Sequence, residues 1–174
     1  MVQGGFNGIR AINKGVDGST TISAAGTVVG TNGAGIYASN EINSLNLTIT
    51  ANNVTGGADG IFAANKGNGD TSIAASGAVK GTAGNGINAT NAASAKDLTI
   101  TSTALSVAGA ATVEGGLNGI LAVNNGVGGS TAVSSLGKIV GTAGNGVNVL
   151  NEVDTENLTV AVHDVEGALD GILA

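Results

Sequence analysis

GIYASN occupies Gly35–Asn40, and the chain writes the same phrase five more times. GIRAIN stands at Gly8–Asn13, GIFAAN at Gly60–Asn65, GINATN at Gly86–Asn91, GILAVN at Gly119–Asn124 and GVNVLN at Gly146–Asn151. The first Gly and the last Asn never change. The phrase glycines, with Gly171 as the last of the series, are 27, 25, 26, 33, 27 and 25 residues apart. One unit is therefore about 26 residues, and the fourth step carries about eight more. Setting LTITANNVTGG (Leu47–Gly57) against LTITSTALSVAGAATVEGG (Leu98–Gly116) places the extra residues at 102–109, an inserted loop in a single repetitive segment spanning 1–174.

Each unit has three apolar segments parted by small or polar residues. The first is a Val or Ile with Gly two later, from Val2–Gly4 to Val165–Gly167. The second is the phrase itself. The third centres on Ile22, Ile49, Ile73, Ile100, Val133 and Val160. All three alternate with period two, the mark of strands, and nothing repeats at 3.6. The expected fold is all-β: a right-handed parallel β-helix with three short strands per coil and six to seven coils, like strands pairing into three sheets. Two residues before each third-segment centre stand Thr20, Leu47, Thr71, Leu98, Thr131 and Leu158, so a two-coil unit lies over the single coil. Asn or Asp precedes the phrase Gly in all units but one, where Ala34 stands, and this predicts tight turns with positive φ.

Composition narrows the function. There are 31 Gly, no Pro, no Cys and three aromatic residues, and charged residues make up 10%. Apolar residues at 42% argue against disorder. A net charge of −6 argues against a nucleic-acid partner. No apolar run is long enough for a transmembrane segment. Without Cys there is no thiol chemistry, and with His163 as the sole His no triad or His-based metal site can be assembled within the chain. No cofactor is expected. The acidic residues stand singly, apart from a concentration at Glu152, Asp154, Glu156, Asp164, Glu166 and Asp170, which favours a solvated edge over a weak Ca²⁺ site.

Strand parity assigns roles to the phrase. Its Ile and Ala point inward, and its Asn points inward at a corner. Asn13, Asn40, Asn65, Asn91, Asn124 and Asn151 are expected to stack as a structural ladder, each amide donating to the next and also satisfying turn backbone. The sequons Asn46-Leu47-Thr48 and Asn157-Leu158-Thr159 lie outside this ladder and carry little weight. The variable positions point outward. Tyr37, Phe62, Leu121, Val123 and Leu150 make a candidate contact stripe, unless further chain covers it. Thr and Ser pairs on the outer third segment, such as Thr48/Thr50 and Thr99/Thr101, are interrupted by Ala and fit a solvated β surface better than an ice-binding array.

Tandem units of the kind seen at Gly60–Thr82, GIFAANKGNGDTSIAASGAVKGT, with their LTIT segments, resemble the passenger domains of bacterial autotransporters over nearly the whole chain. The resemblance implies a β-helical stalk at the cell surface or secreted from it, and the lack of Cys suits a chain that crosses the outer membrane unfolded. Met1 runs straight into repeat sequence with no signal peptide visible, which leaves a cytosolic protein or a piece of a longer solenoid, and the ragged ends of the repeat favour the piece. The function expected is non-enzymatic: adhesin, self-association module or stalk, with a host surface protein or glycan, or a second copy, as partner. A polysaccharide-acting enzyme fragment and a structural fibre element stacking end to end are the alternatives.

Overall fold

The computed structural model describes residues 1–152 and 154–174. Among them there is no helix; the chain is a parallel β-solenoid of about 27 residues per turn and roughly six turns. The first segment supplies β1 (Val2–Gly4), β4 (Val28–Gly30), β7 (Val54–Gly56), β10 (Val79–Gly81) and β13 (Ala111–Gly115). The second supplies β2 (Ile9–Asn13), β5 (Ile36–Asn40), β8 (Ile61–Asn65), β11 (Ile87–Asn91), β14 (Ile120–Asn124), β16 (Val147–Asn151) and β18 (Ile172–Leu173). The third supplies β3 (Thr20–Ala24), β6 (Leu47–Ala51), β9 (Thr71–Ala75) and β12 (Leu98–Ser102). Two longer strands, β15 (Thr131–Gly141) and β17 (Leu158–Gly167), run through the third and first segments of their coils.

Every register partner is the counterpart one coil away. Ile36 pairs with Ile9 and Ile61, Val54 with Val28 and Val79, and Ile100 with Ile73 and Val133. The inner positions form one apolar column in which Ile36, Ile49, Ile61, Ile73, Ile87, Ile100 and Ile120 are fully buried. Burying each such side chain is worth roughly 1.5–3 kcal/mol. The alternation is visible in β8, β9, β11, β12 and β14, where inner residues are buried and outer ones half-exposed.

Two sheets form instead of the expected three. The second segment makes a seven-stranded sheet, while the first and third are joined into an eleven-stranded one through β15. The join begins beside the insertion. Residues 103–110 lie between β12 and β13, and they extend β13 backward to Ala111. Ala111 gives Lys138 a ladder partner, and Lys138 then pairs with Asp164 in the last coil. Pairing is thus carried through a corner that is open in the earlier coils, with register shifts between Ala111 and Val113 and between Ser135 and Lys138.

The corner between first and second segments is where the repeated glycines act. A Cβ on Gly115 would overlap the carbonyl oxygen of Asn118, and one on Gly81 that of Asn85. At the phrase glycine, a Cβ on Gly86 would lie 2.6 Å from Gly119 O and 2.8 Å from Val113 Cγ1, both in the next coil. The expected positive φ is absent here. Among the described residues it occurs only at Asp17, Asn43, Ala108, Gly109, Gly128 and Asp154. These glycines serve close approach of backbone to backbone.

Gly115→Ala therefore forces main chain apart at a buried corner, and we expect a loss of about 1–3 kcal/mol in denaturant unfolding. Ser102→Ala should act in the opposite direction. Ser102 stacks on Ala75 in a column that continues through Ala51 and Ala24. Its hydroxyl is buried without a hydrogen-bond partner among the described residues. Removing it should raise stability by about 1 kcal/mol in the same assay.

Candidate functional site

The invariant asparagines close each second segment from inside. Asn40, Asn91 and Asn124 are fully buried and Asn65 nearly so. Their amides do not donate to one another. Each turns to the carbonyls of its own turn: Asn40 Nδ2 to Leu45 O and Asn46 O at 3.0 and 2.9 Å, Asn91 Nδ2 to Lys96 O and Asp97 O at 3.1 Å, Asn124 Nδ2 to Ser130 O at 3.2 Å. Asn13, Asn65 and Asn151 donate likewise, to Gly18, to Gly69 and Asp70, and to Asn157. Leu45 O and Lys96 O have no other donor among the described residues, whereas Asn46 O, Asp70 O, Asp97 O and Ser130 O already accept a backbone N–H from the preceding coil, so there the amide adds a second bond. The amide-to-amide ladder expected from stacking is replaced by six separate turn clamps.

The acceptor oxygens follow the two-coil unit. Asn40, Asn91 and Asn151 accept from the hydroxyls of Thr20, Thr71 and Thr131 in the preceding coil, at 2.6, 2.6 and 2.5 Å. Asn13, Asn65 and Asn124 accept instead from the backbone N–H of Gly15, Gly67 and Gly126 two residues on, at 2.9, 3.0 and 2.9 Å. Leu47 precedes Asn65 by one coil and Leu98 precedes Asn124, and Leu offers no donor. The alternation of Thr with Leu and the Asn-x-Gly of alternate coils are two halves of one arrangement.

A second ladder runs coil to coil at the residue before the phrase glycine. Asp59 Oδ1 accepts from Asn85 N at 2.6 Å, Asn85 Oδ1 from Asn118 Nδ2 at 2.9 Å, Asn118 Oδ1 from Asn145 N at 2.8 Å, and Asn145 Oδ1 from Asp170 N at 3.1 Å. Sequence reasoning found these positions and assigned them to a turn type. Their repetition at coil spacing was the signal for the stack. The turn that the clamps serve is braced similarly: Asn46 Oδ1 accepts from Asp70 N, Asp70 Oδ1 from Asp97 N, and Asp97 Oδ1 from Ser130 N. The sequon residue Asn46 thus belongs to a structural chain.

The outward positions of the seven-stranded sheet form two patches. Arg10, Tyr37 and Phe62 are register neighbours. The two rings stack with centroids 4.9 Å apart and planes within 10°, and the Arg10 guanidinium lies 5.6 Å from the Tyr37 centroid. The facing ring surfaces are taken, and Arg10 takes the far side of Tyr37, so the stack presents ring edges outward. Asn88 and Thr90 then interrupt the apolar run. Beyond them Leu121 and Val123 are half-exposed and Leu150 is exposed, with Val123 and Leu150 paired.

The acidic residues concentrated near the C-terminal end of the sequence are spread around the coil. Glu152, Asp154 and Glu156 lie between β16 and β17, Asp164 and Glu166 lie on β17, and Asp170 sits at the next corner. Among the described residues no three His, Cys, Asp or Glu side chains gather as a metal-binding group. His163 lines an open hollow of about 430 Å³ with Leu105, Ser106, Leu136 and Asp164. A second hollow of about 340 Å³ is also lined by Leu105, with Ser76–Ala78 and Thr112. Leu105 and Val107 of the inserted loop are exposed. Neither hollow was legible in the sequence, because both depend on how the loop sits.

Among the described residues three surface ion pairs link neighbouring coils: Glu41 with Lys66, Lys80 with Glu114, and Lys138 with Glu166. The Lys66 ammonium hydrogen-bonds Glu41 and holds its carboxyl below the usual range, against a smaller opposing effect of burial. The Glu166 carboxylate likewise holds the Lys138 ammonium above its usual value. Such exposed pairs add little stability.

No protein-family model, curated protein or solved structure matches the chain.

The clamp geometry makes a graded expectation. Asn91→Ala removes a fully buried amide and leaves Lys96 O and the Thr71 hydroxyl without their partner, and should cost about 3 kcal/mol. Asn13→Ala, half-buried in the first coil, should cost less than half as much. Urea unfolding of the two variants checks the order.

Proposed function

We propose that this chain is a non-enzymatic segment of a surface-exposed or secreted bacterial passenger, of the autotransporter kind its repeats resemble, and that it works by lateral contact. The observation that carries this reading is the outer face of the seven-stranded sheet. It is a parallel array whose outward residues include Tyr37, Phe62, Leu121, Val123 and Leu150, beside an outer third-segment face made largely of Thr, Ser and Ala. Apolar and aromatic side chains gathered on the outer side of one sheet, half-exposed at Tyr37, Phe62, Leu121 and Val123 and exposed at Leu150, favour a place of contact. A rod of stacked coils offers long faces and few enclosed pockets, which suits repetitive binding more than catalysis.

The stacking of Tyr37 on Phe62 narrows the partner. Sugar rings pack on open aromatic faces, and these faces are largely occupied. A protein surface, on a host cell or on a second copy, fits ring edges and aliphatic side chains better than a glycan does.

Phe62→Asp, Leu121→Asp and Leu150→Asp together should abolish aggregation or host-cell adhesion by bacteria displaying the chain. The circular dichroism of the purified triple variant should be unchanged, because all three residues point outward. Undiminished aggregation and adhesion would sink the contact face, and glycan cleavage by the purified chain would sink the non-enzymatic reading.

A further inference from the structure

We infer that Asn68 is a site of spontaneous self-modification, singled out by the fold from among chemically similar sites. The chain holds seven Asn-Gly pairs. In an open chain this pair is prone to deamidation, since glycine leaves the following backbone nitrogen unshielded. That nitrogen attacks the asparagine Cγ and gives up its proton. The bond from Cγ to Nδ2 breaks and ammonia departs. The resulting succinimide ring takes up one water at either carbonyl, giving aspartate or isoaspartate. Water is the sole co-reactant.

The fold blocks the step at six of the pairs. At Asn7, Asn85, Asn118 and Asn145 the following glycine N–H donates to the next coil, at 3.2, 3.0, 3.1 and 3.0 Å. Their side-chain oxygens accept from that coil as well. At Asn32 the amide donates to Gly5 O and Gly33 N donates to Phe6 O, both at 2.9 Å. At Asn125 the amide donates to Asn91 O at 2.7 Å, and Gly126 N donates to Asn124 Oδ1 at 2.9 Å. In each case nucleophile and amide are both held.

Asn68 differs on every count. Its side chain is exposed and has no hydrogen bond among the described residues, nor does the Gly69 N–H. It sits in the turn between β8 and β9, where its own N–H donates to Ser44 O at 2.8 Å and Gly69 O accepts from Lys96 N at 3.1 Å, while the Asn68 amide and the Gly69 N–H stay unbonded among the described residues. The consequence falls on a clamp. Gly69 O and Asp70 O are the acceptors of Asn65 Nδ2. Isoaspartate at position 68 routes the main chain through an added carbon just before them. Either product takes the net charge from −6 to −7, beside Asp70.

The test is peptide mapping of the folded chain during incubation at mildly alkaline pH, with a urea-unfolded sample in parallel. In the folded chain Asn68 should convert first. The ladder sites Asn85, Asn118 and Asn145 should be at least about tenfold slower, a difference worth about 1.4 kcal/mol in barrier. In urea the seven pairs should react alike. Asn68→Ser should remove the early product and leave the circular dichroism unchanged. Conversion spread evenly over the folded chain, or appearing first at a ladder asparagine, overturns the assignment. So does a folded Asn68 that stays intact while its unfolded counterpart reacts.

Discussion

Hydrogen bonding between coils at strand spacing obliges every residue to sit on its counterpart one turn away. The remaining features of this chain answer to that constraint. Like must tolerate like at about 4.8 Å, which apolar side chains do by packing and amides do by bonding. A charge buried in a stack of its own kind would not tolerate it, and the hydrophobic core is Ile, Val, Leu and Ala. The same spacing leaves no room for a Cβ at the corner between the first and second segments, where main chain meets main chain within a coil and between coils. The glycines there admit the turn, and the backbone pairing in turn fixes the registers of both sheets.

Much of this was legible because stacking prints the same letter at every rung. The pairing of Ile9 with Ile36, or Val113 with Ile139, follows from spacing alone, and the structure has both. Parity along the strand located the outward residues, including Tyr37 beside Phe62. Bond direction was not legible. An amide facing a neighbour at one coil's distance and a turn carbonyl within its own coil has two acceptors, and only the path of the turn decides between them. Asn91 chose its own turn. Asn85 and Asn118, in a corner without such carbonyls, bonded each other. The Asp-Gly and Asn-Gly pairs misled for a related reason: the dipeptide that favours positive φ in a hairpin is here selected for the amide rung and for the missing Cβ.

The candidate site divides the same way. Its positions came from alternation, but its character came from packing. Two adjacent aromatic residues could have lain flat as a platform; stacked at 4.9 Å with Arg10 above, they form a closed edge-on unit. The inserted loop breaks the regular surface, and Leu105 lines two hollows beside it. A side chain repeated at every rung shows its place in the spacing, whereas a loop that occurs once does not.

The bond from Thr to Asn divides the rod into pairs of coils. Thr20 reaches Asn40, Thr71 reaches Asn91 and Thr131 reaches Asn151, while Leu47 and Leu98 leave the joints between those pairs without an equivalent tie. At this corner the solenoid is a string of couplets. Pulled along its axis, it has weaker seams every second coil, so force would open it couplet by couplet. Growth or loss of coils by recombination would likewise conserve the arrangement only in even numbers, since removing a single coil would set a threonine against an asparagine already bonded to its own glycine.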